Sequence, residues 1–297
     1  MIEAHGLTKR FSGRAVVEDV SFSCAPGTIT GFLGPNGAGK TTTLLMLCGL
    51  SAPDAGHGVV LGGPYRDLPN PARRVGILLD AAAQHGGRRG REALAVSAQA
   101  MGVEVARVDG LLELVGLDRA AARKRVRQYS LGMRQRLGIA HALLGAPEVL
   151  ILDEPANGLD PEGMRWMRGL LRYFADQGGT VLLSSHLLRE VEATADRLVI
   201  IGEGRIAAQG TRAELLTGAS TLARAPDQAA LEAALRAAGL AVRAATDGGL
   251  LVDAEPDAVG RAALEGGVAL SHLGPSESAG LEQLFFDLTA GTPEAGQ

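Results

Sequence analysis

The sequence predicts an α/β protein in two parts: a parallel sheet covered by helices, followed by a smaller α+β domain. Short apolar runs, such as residues 149–152 and 180–183, alternate with helical patterns, which is typical of strands buried in a parallel sheet. The 297 residues, 46% of them hydrophobic, are enough for about two domains with a sizeable core. Because the composition shifts after residue 216, we predict one domain over residues 1–217 and another over residues 218–297.

The first domain begins with short strands broken by Gly and Pro, which predicts a β-rich edge. A helical pattern starts at Lys40 and ends at Gly49, and an Ala/Leu-rich stretch with helical spacing follows at residues 92–144. A further helix is predicted at residues 164–175. The predicted strands are residues 2–7, 16–24, 28–33, 75–79, 149–152, 180–183, 197–201 and 205–208, with a hairpin joining the last two.

The second domain shows the order βαββαβ, which is typical of a ferredoxin-like fold. Its predicted strands are residues 221–224, 240–245, 250–254 and 268–273, and its helices are residues 228–238 and 258–265. A last helix is predicted at residues 280–289, where one helical face carries Leu281, Leu284, Phe285 and Leu288. We expect this face to pack on the core, with a contact to a partner protein as the alternative. No residue of the second domain suggests a catalytic role.

Composition and charge exclude several classes of protein. The formal net charge of −4 gives no global positive field for a nucleic acid or an anionic membrane. Cys24 and Cys48 are the only cysteines, so neither a disulfide framework nor a cysteine-built zinc site is available. The sequence shows no apolar run of about 18 residues and no signal peptide at its start. We therefore expect a cytoplasmic protein.

Residues 34–41, Gly-Pro-Asn-Gly-Ala-Gly-Lys-Thr, match the phosphate-loop pattern G-x-x-x-x-G-K-[ST] in full. The loop follows a predicted strand and opens a predicted helix, so backbone N–H groups and the helix dipole converge on a phosphate. Lys40 is expected to reach the β- and γ-phosphates, and the Thr41 hydroxyl to ligate Mg²⁺. The predicted nucleotide-binding residues here are Gly34, Asn36, Gly37, Ala38, Gly39, Lys40, Thr41 and Thr42.

Two acidic residues follow the apolar run at residues 149–152 directly. Ligands of an open α/β sheet bind at the carboxyl ends of its strands, so Asp153 is placed to hold the Mg²⁺ shell. Glu154 is placed to orient or deprotonate an attacking water. Taken alone, the two carboxylates are better explained as a polar strand end. Beside a complete phosphate loop, the functional interpretation is favoured.

Residues 129–136, Tyr-Ser-Leu-Gly-Met-Arg-Gln-Arg, resemble the signature L-S-G-G-Q of the ATP-binding cassette (ABC) ATPases. Ser130 and Gly132 match it, and the departures are similar to those of a subgroup found among ATPase subunits of bacterial ABC-2-type exporters, including antibiotic-resistance exporters. Ser130 also suits the N-cap of a helix. The resemblance covers residues 2–216 and implies a P-loop ABC cassette: a parallel sheet core, an antiparallel β edge subdomain and a helical subdomain at about residues 82–145.

The resemblance implies further site residues, with ATP and Mg²⁺ as cofactors. Ser130 and Gly132 would face the γ-phosphate held by a second subunit, and Asp160 falls in the family's D-loop. His186 corresponds to the histidine that senses the γ-phosphate, and joins Lys40 and Glu154 as a predicted catalytic residue. Phe11 corresponds to the aromatic that stacks on adenine, with a core position as the alternative. Asp80 replaces the Q-loop glutamine; its carboxylate can approach Mg²⁺ through water but cannot donate a hydrogen bond as an amide does.

The resemblance also implies partners. We expect an ATPase that works as a homodimer or paired with a second ABC subunit, at the inner face of the cell membrane. There it would drive a separate multi-span permease that exports a drug, antibiotic or lipid-like compound. The Gly/Arg-rich residues 86–91 lack interleaved aromatics, so no nucleic acid partner is expected. The alternative is a non-transport ABC ATPase acting on a soluble or nucleic-acid partner; a metabolic P-loop kinase would have no reason to carry residues 130–132 ahead of Asp153.

Overall fold

The computed structural model describes residues 1–216, 221–245 and 248–275, and it divides the chain into two compact units. The first unit includes Met1–Gln209, and the second begins at Gly210. The predicted helix at residues 280–289 lies outside the described residues. Within the part of the chain that is described, we find no helix long and apolar enough to cross a membrane.

The first unit combines nine strands with eight helices in the described residues. The strands are β1 Ile2–Phe11, β2 Arg14–Cys24, β3 Ile29–Leu33, β4 Ala55–Val60, β5 Val75–Leu78, β6 Val149–Leu152, β7 Thr180–Ser185, β8 Arg197–Gly202 and β9 Arg205–Thr211. The helices are α1 Lys40–Leu47, α2 Pro71–Arg74, α3 Gly90–Met101, α4 Arg107–Leu114, α5 Arg119–Arg123, α6 Leu131–Leu143, α7 Pro161–Asp176 and α8 Leu188–Glu192.

A six-stranded sheet forms the centre of this unit, in the order β5-β6-β7-β3-β8-β9. The pairs β5–β6, β6–β7, β3–β7 and β3–β8 are parallel, which confirms the predicted parallel sheet. β6 and β7 are buried along their whole length, because neighbouring strands and covering helices shield both faces. The register pairs Leu33 with Ser185 and Leu152 with Leu183, so three strands end at the same edge of the sheet.

A three-stranded antiparallel sheet, β2-β1-β4, forms the predicted β edge. β4 was not predicted, because its run Ala-Gly-His-Gly-Val-Val has two glycines and no clear alternation. The predicted end of β1 at Leu7 is wrong: the strand continues to Phe11, because the turn at Ser12 and Gly13, both with positive φ, joins it directly to β2. A ring stack at 5.3 Å between Phe22 and Phe32 joins this sheet to the central one.

The stretch from α3 to α6 forms the predicted helical subdomain. Three helices precede α6, and their buried apolar residues include Leu94, Val108 and Leu112. Tyr129 lies just before α6 and donates a hydrogen bond to the Ala121 carbonyl at 2.8 Å. This contact fixes the chain immediately before Ser130.

The second unit has its own sheet and core. Its elements are α9 Arg212–Leu216, β10 Thr221–Arg224, α10 Gln228–Ala237, β11 Val242–Ala244, β12 Leu250–Val252, α11 Pro256–Glu265 and β13 His272–Pro275. The antiparallel order β11-β12-β10-β13 is that of the predicted ferredoxin-like fold. The predicted start of the last strand at residue 268 is wrong: Val268 donates its N–H back to Ala263 and packs on the core, so β13 starts only at His272.

Candidate functional site

The phosphate loop connects β3 to α1, as predicted. Gly39 has a φ of +103°, and a Cβ there would lie 2.8 Å from the Val16 carbonyl oxygen. A side chain is therefore excluded by conformation and by space. A cleft of about 200 Å³ opens here, lined by Val16, Asn36, Gly37, Gly39, Lys40, Thr41, Thr42 and Glu154. Six of the loop residues predicted to bind nucleotide therefore line one cleft together with a predicted catalytic carboxylate.

Lys40 lies at the bottom of this cleft with only 6% of its surface exposed. Its Nζ donates to the carbonyl oxygens of Gly34 at 2.7 Å and Pro35 at 3.2 Å, and lies 3.5 Å from Glu154 Oε1. Burial lowers the pKa of Lys40, and the nearby carboxylate of Glu154 opposes that shift. An anionic ligand in the cleft would favour the charged amine in the same way.

Asp153 is buried and both of its carboxylate oxygens accept hydrogen bonds from hydroxyl groups. Thr41 donates to Oδ2 at 2.6 Å, and Ser184 donates to Oδ1. Hydroxyl and carboxylate oxygens are the hard ligands that Mg²⁺ prefers. Among the residues described, no group of three or more His, Cys, Asp or Glu side chains forms a metal site. The pair Thr41–Asp153 thus suits an ion that takes its remaining ligands from phosphate and water.

Glu154 stands between Lys40 and His186. Its Oε2 lies 2.9 Å from His186 Nδ1, and its other oxygen faces Lys40. The Glu154 backbone is left-handed, with a φ of +46°, which is uncommon for a residue other than Gly, Asn or Asp. Its carboxylate is partly exposed, so a ligand in the cleft can reach it.

Two residues that were not predicted as site residues hydrogen-bond to the backbone of Glu154. Ser184 accepts a hydrogen bond from the Glu154 N–H at 3.0 Å, and Gln135 Nε2 donates to the Glu154 carbonyl oxygen at 2.7 Å. Ser184 lies two residues before His186, and Gln135 lies within the signature-like segment, so each was adjacent to a recognised motif. Residue type alone did not indicate either contact.

The remaining predicted residues lie outside the set that lines the cleft. Ser130 accepts from the Met133 N–H at 3.2 Å and caps α6, while Asp160 accepts from the Gly163 N–H at 2.8 Å and caps α7. Asp80 accepts from the Ala82 N–H at 2.6 Å and caps the short 3₁₀ turn Ala81–Ala83. Phe11 ends β1 with 53% of its surface exposed, so it is not a core residue.

Gly132 lies in the first turn of α6, against the loop that follows Glu154. A Cβ at this position would lie 2.7 Å from the Gly158 carbonyl oxygen, so α6 approaches this loop closely. The predicted roles of Ser130, Gly132 and Asp160 require a second subunit, and they stay predictions; Ser130 and Asp160 are exposed, whereas Gly132 is half-buried.

Comparison with known proteins places this geometry in context. Residues 17–157 match the family model described as ABC transporter. The chain is 41% identical over 209 residues to the bacitracin transport ATP-binding protein of Bacillus licheniformis, covering 69% of this chain and 68% of that protein. It is 37% identical over 297 residues to the Nod factor export ATP-binding protein I of Burkholderia lata, covering 97% and 96%. A solved ATP-binding subunit of an ABC transporter matches 72% of the chain at 30% identity, with a TM-score of 0.67.

Proposed function

The chain belongs to the ABC transporter family as an ATP-hydrolysing, ATP-binding subunit, and from this premise we propose that it works in a pair to power export through a separate permease. The relatives named for bacitracin transport and Nod factor export support the export of a cargo, for which we propose a drug, antibiotic or lipid-like compound. The subunit would lie in the cytoplasm, held at the inner face of the membrane by the permease.

The observation that carries the proposal is the position of Glu154 beside the phosphate-loop cleft, between Lys40 and His186. Lys40 holds the β- and γ-phosphates, because a buried amine in a cleft of backbone N–H groups is a strong partner for a polyanion. Glu154 orients a water molecule and accepts its proton. His186, hydrogen-bonded to Glu154, contacts the γ-phosphate. Phe11 presents its exposed ring to adenine.

The metal site would consist of Thr41 and Asp153, which already lie in contact. These two residues would hold Mg²⁺, which would supply positive charge against the phosphates of ATP. Asp80 lies at the start of the 3₁₀ turn that follows β5, and a carboxylate there can hold a water of the metal shell. Its acceptor bond to Ala82 is compatible with this role, because one carboxylate oxygen remains.

The second half of each ATP site would come from the partner subunit. Ser130 is exposed and caps the N-terminus of α6, a helix of 13 residues whose dipole favours an anion at that end. Two ATP molecules would lie between the phosphate loop of one subunit and Ser130 and Gly132 of the other, with the Asp160 loops alongside. ATP then stabilises the closed pair, and hydrolysis releases it, because the γ-phosphate bridges both halves.

The test uses Glu154→Gln in the full chain. We expect Mg·ATP to bind with wild-type affinity, hydrolysis to fall by about 10²-fold or more, and a stable dimer to form on size exclusion with ATP but not with ADP. Glu104→Gln, an exposed position between α3 and α4, is the matched control and should behave as wild type. A Glu154→Gln chain that stays monomeric with saturating Mg·ATP and its native partner subunit would contradict the proposal.

Transport is tested separately, in cells that carry this protein with a co-encoded multi-span permease. Accumulation of candidate antibiotics should fall when both are present and rise again with Glu154→Gln. If native complexes contain soluble partners alone, the ATPase assignment stands and the export proposal is wrong.

A further inference from the structure

The backbone of Glu154 is held from two sides. Its N–H donates to Ser184 Oγ at 3.0 Å, and its carbonyl oxygen accepts from Gln135 Nε2 at 2.7 Å. The same carbonyl also accepts from the Asn157 N–H at 3.1 Å, within the turn that follows. A left-handed glutamate persists only where surrounding contacts determine its conformation. The Gln135 contact is the one that comes from α6.

A buried glutamine at position 135 lowers stability relative to an apolar residue if its side chain only fills space. It is 3% exposed, and its Oε1 is buried without a hydrogen-bond partner among the described residues. A Met or Leu of similar size would fill the position without this unsatisfied acceptor. The orientation of the amide follows from chemistry, because the reverse orientation would place two acceptor oxygens against each other. The Gln135 amide therefore donates a hydrogen bond to the Glu154 carbonyl oxygen, while its own Oε1 stays without a partner among the described residues.

The same face of α6 touches the loop after Glu154 a second time. Gly132 lies three residues before Gln135, and its backbone packs against the Gly158 carbonyl oxygen. α6 thus contacts both ends of the segment 154–158, and it begins at the Ser130 cap. A shift of α6 along or away from this loop would pull on the Glu154 peptide through Gln135.

We propose that Gln135 is a positioning residue that ties the Glu154 backbone to α6, so that the carboxylate is aimed between Lys40 and His186 only while α6 is seated on the loop. The inference rests on the proposed role of Glu154 as the group that activates water. It adds a mechanical link from the helix that carries Ser130 to that carboxylate within one chain.

Gln135→Met tests the link in the full-length protein, because it keeps the volume and removes the donor. We expect kcat for ATP to fall between about tenfold and about 10²-fold, the range that a misplacement of about 1 Å produces. The Kd for Mg·ATP should stay within about twofold, since Gln135 does not line the cleft. Thermal stability should be unchanged or higher, because the buried unsatisfied oxygen is gone. Gln99→Met, exposed on α3, is the control and should match wild type.

A double variant separates this inference from the proposed function. Because Gln135 acts through Glu154, adding Gln135→Met to Glu154→Gln should leave the residual rate unchanged. A further loss in that background, or a folded Gln135→Met chain with kcat within about twofold of wild type, would overturn the inference. If Glu154→Gln alone hydrolyses ATP normally, the proposed function is wrong instead. Should Gln135→Met fold poorly, Gln135→Leu removes the same donor with another apolar side chain of similar size and should lower kcat likewise.

Discussion

Ser184→Ala is expected to destabilise the first unit as well as slow hydrolysis. The Ser184 hydroxyl is fully buried, donates to Asp153 and accepts from the Glu154 N–H. Alanine removes a hydrogen bond to a charged group, worth about 1.5–3 kcal/mol, and takes the acceptor from the partly buried Glu154 N–H, which costs at most about 1–3 kcal/mol. Asp153 keeps its bond to Thr41, so we expect the free energy of unfolding to fall by about 3 kcal/mol, near the lower end of the combined range.

The assay is urea unfolding followed by the fluorescence of Trp166, the single tryptophan, which lies on α7 of the first unit. Ser23→Ala, an exposed position on β2, is the matched control and should change the free energy of unfolding by less than about 0.5 kcal/mol. A Ser184→Ala change equally small would refute the reasoning, because it would mean that neither hydrogen bond contributes to the folded state.

Three further outcomes are expected. Thr41→Val removes the hydroxyl but keeps the shape. It should raise the Mg²⁺ concentration that gives half-maximal ATP binding by at least about tenfold in a metal titration. An unchanged titration would exclude Thr41 as a ligand. His141→Leu should make stability less sensitive to acid, because burial lowers the pKa of His141 below its usual value of about 6.5. As the pH falls through about 6.5, the unfolded wild-type chain binds a proton that the folded chain does not, so the free energy of unfolding declines. If unfolding curves of the two proteins show the same pH dependence, that attribution fails. Leu235→Ala, in the core of the second unit, should lower the free energy of unfolding of that unit by about 2–5 kcal/mol, measured by hydrogen exchange in α10, while ATP turnover is unchanged. A parallel loss of turnover would show that hydrolysis requires the folded second unit.

Elements with a strong local pattern were predictable from the sequence. β6 coincides with the predicted residues 149–152, because four consecutive apolar residues between polar flanks leave little choice of boundary. The phosphate loop was predictable because its glycines and Lys40, which bind phosphate together, lie in one short segment of the chain. β4 was not predictable, because its Gly-rich run has little β propensity and forms a strand only by pairing with β1. The predicted start of β13 was wrong for a related reason: Val268 and Leu270 pack on the core before the strand begins, so their apolar side chains did not mark the strand itself.

The contacts around Asp153 and Glu154 depend on strand order, which no local pattern reveals. In the order β6-β7-β3, the tip of β7 lies between the strand that leads to the two carboxylates and the strand that leads to the phosphate loop. The register places Ser184 beside Phe32 on one side and next to the end of β6 on the other. Ser184 and His186 therefore meet Asp153 and Glu154 from the middle of the sheet, at separations of 31 and 32 residues along the chain. A different strand order with the same sequence motifs would leave the carboxylate of Asp153 without the Ser184 hydrogen bond, which would cost about 1.5–3 kcal/mol.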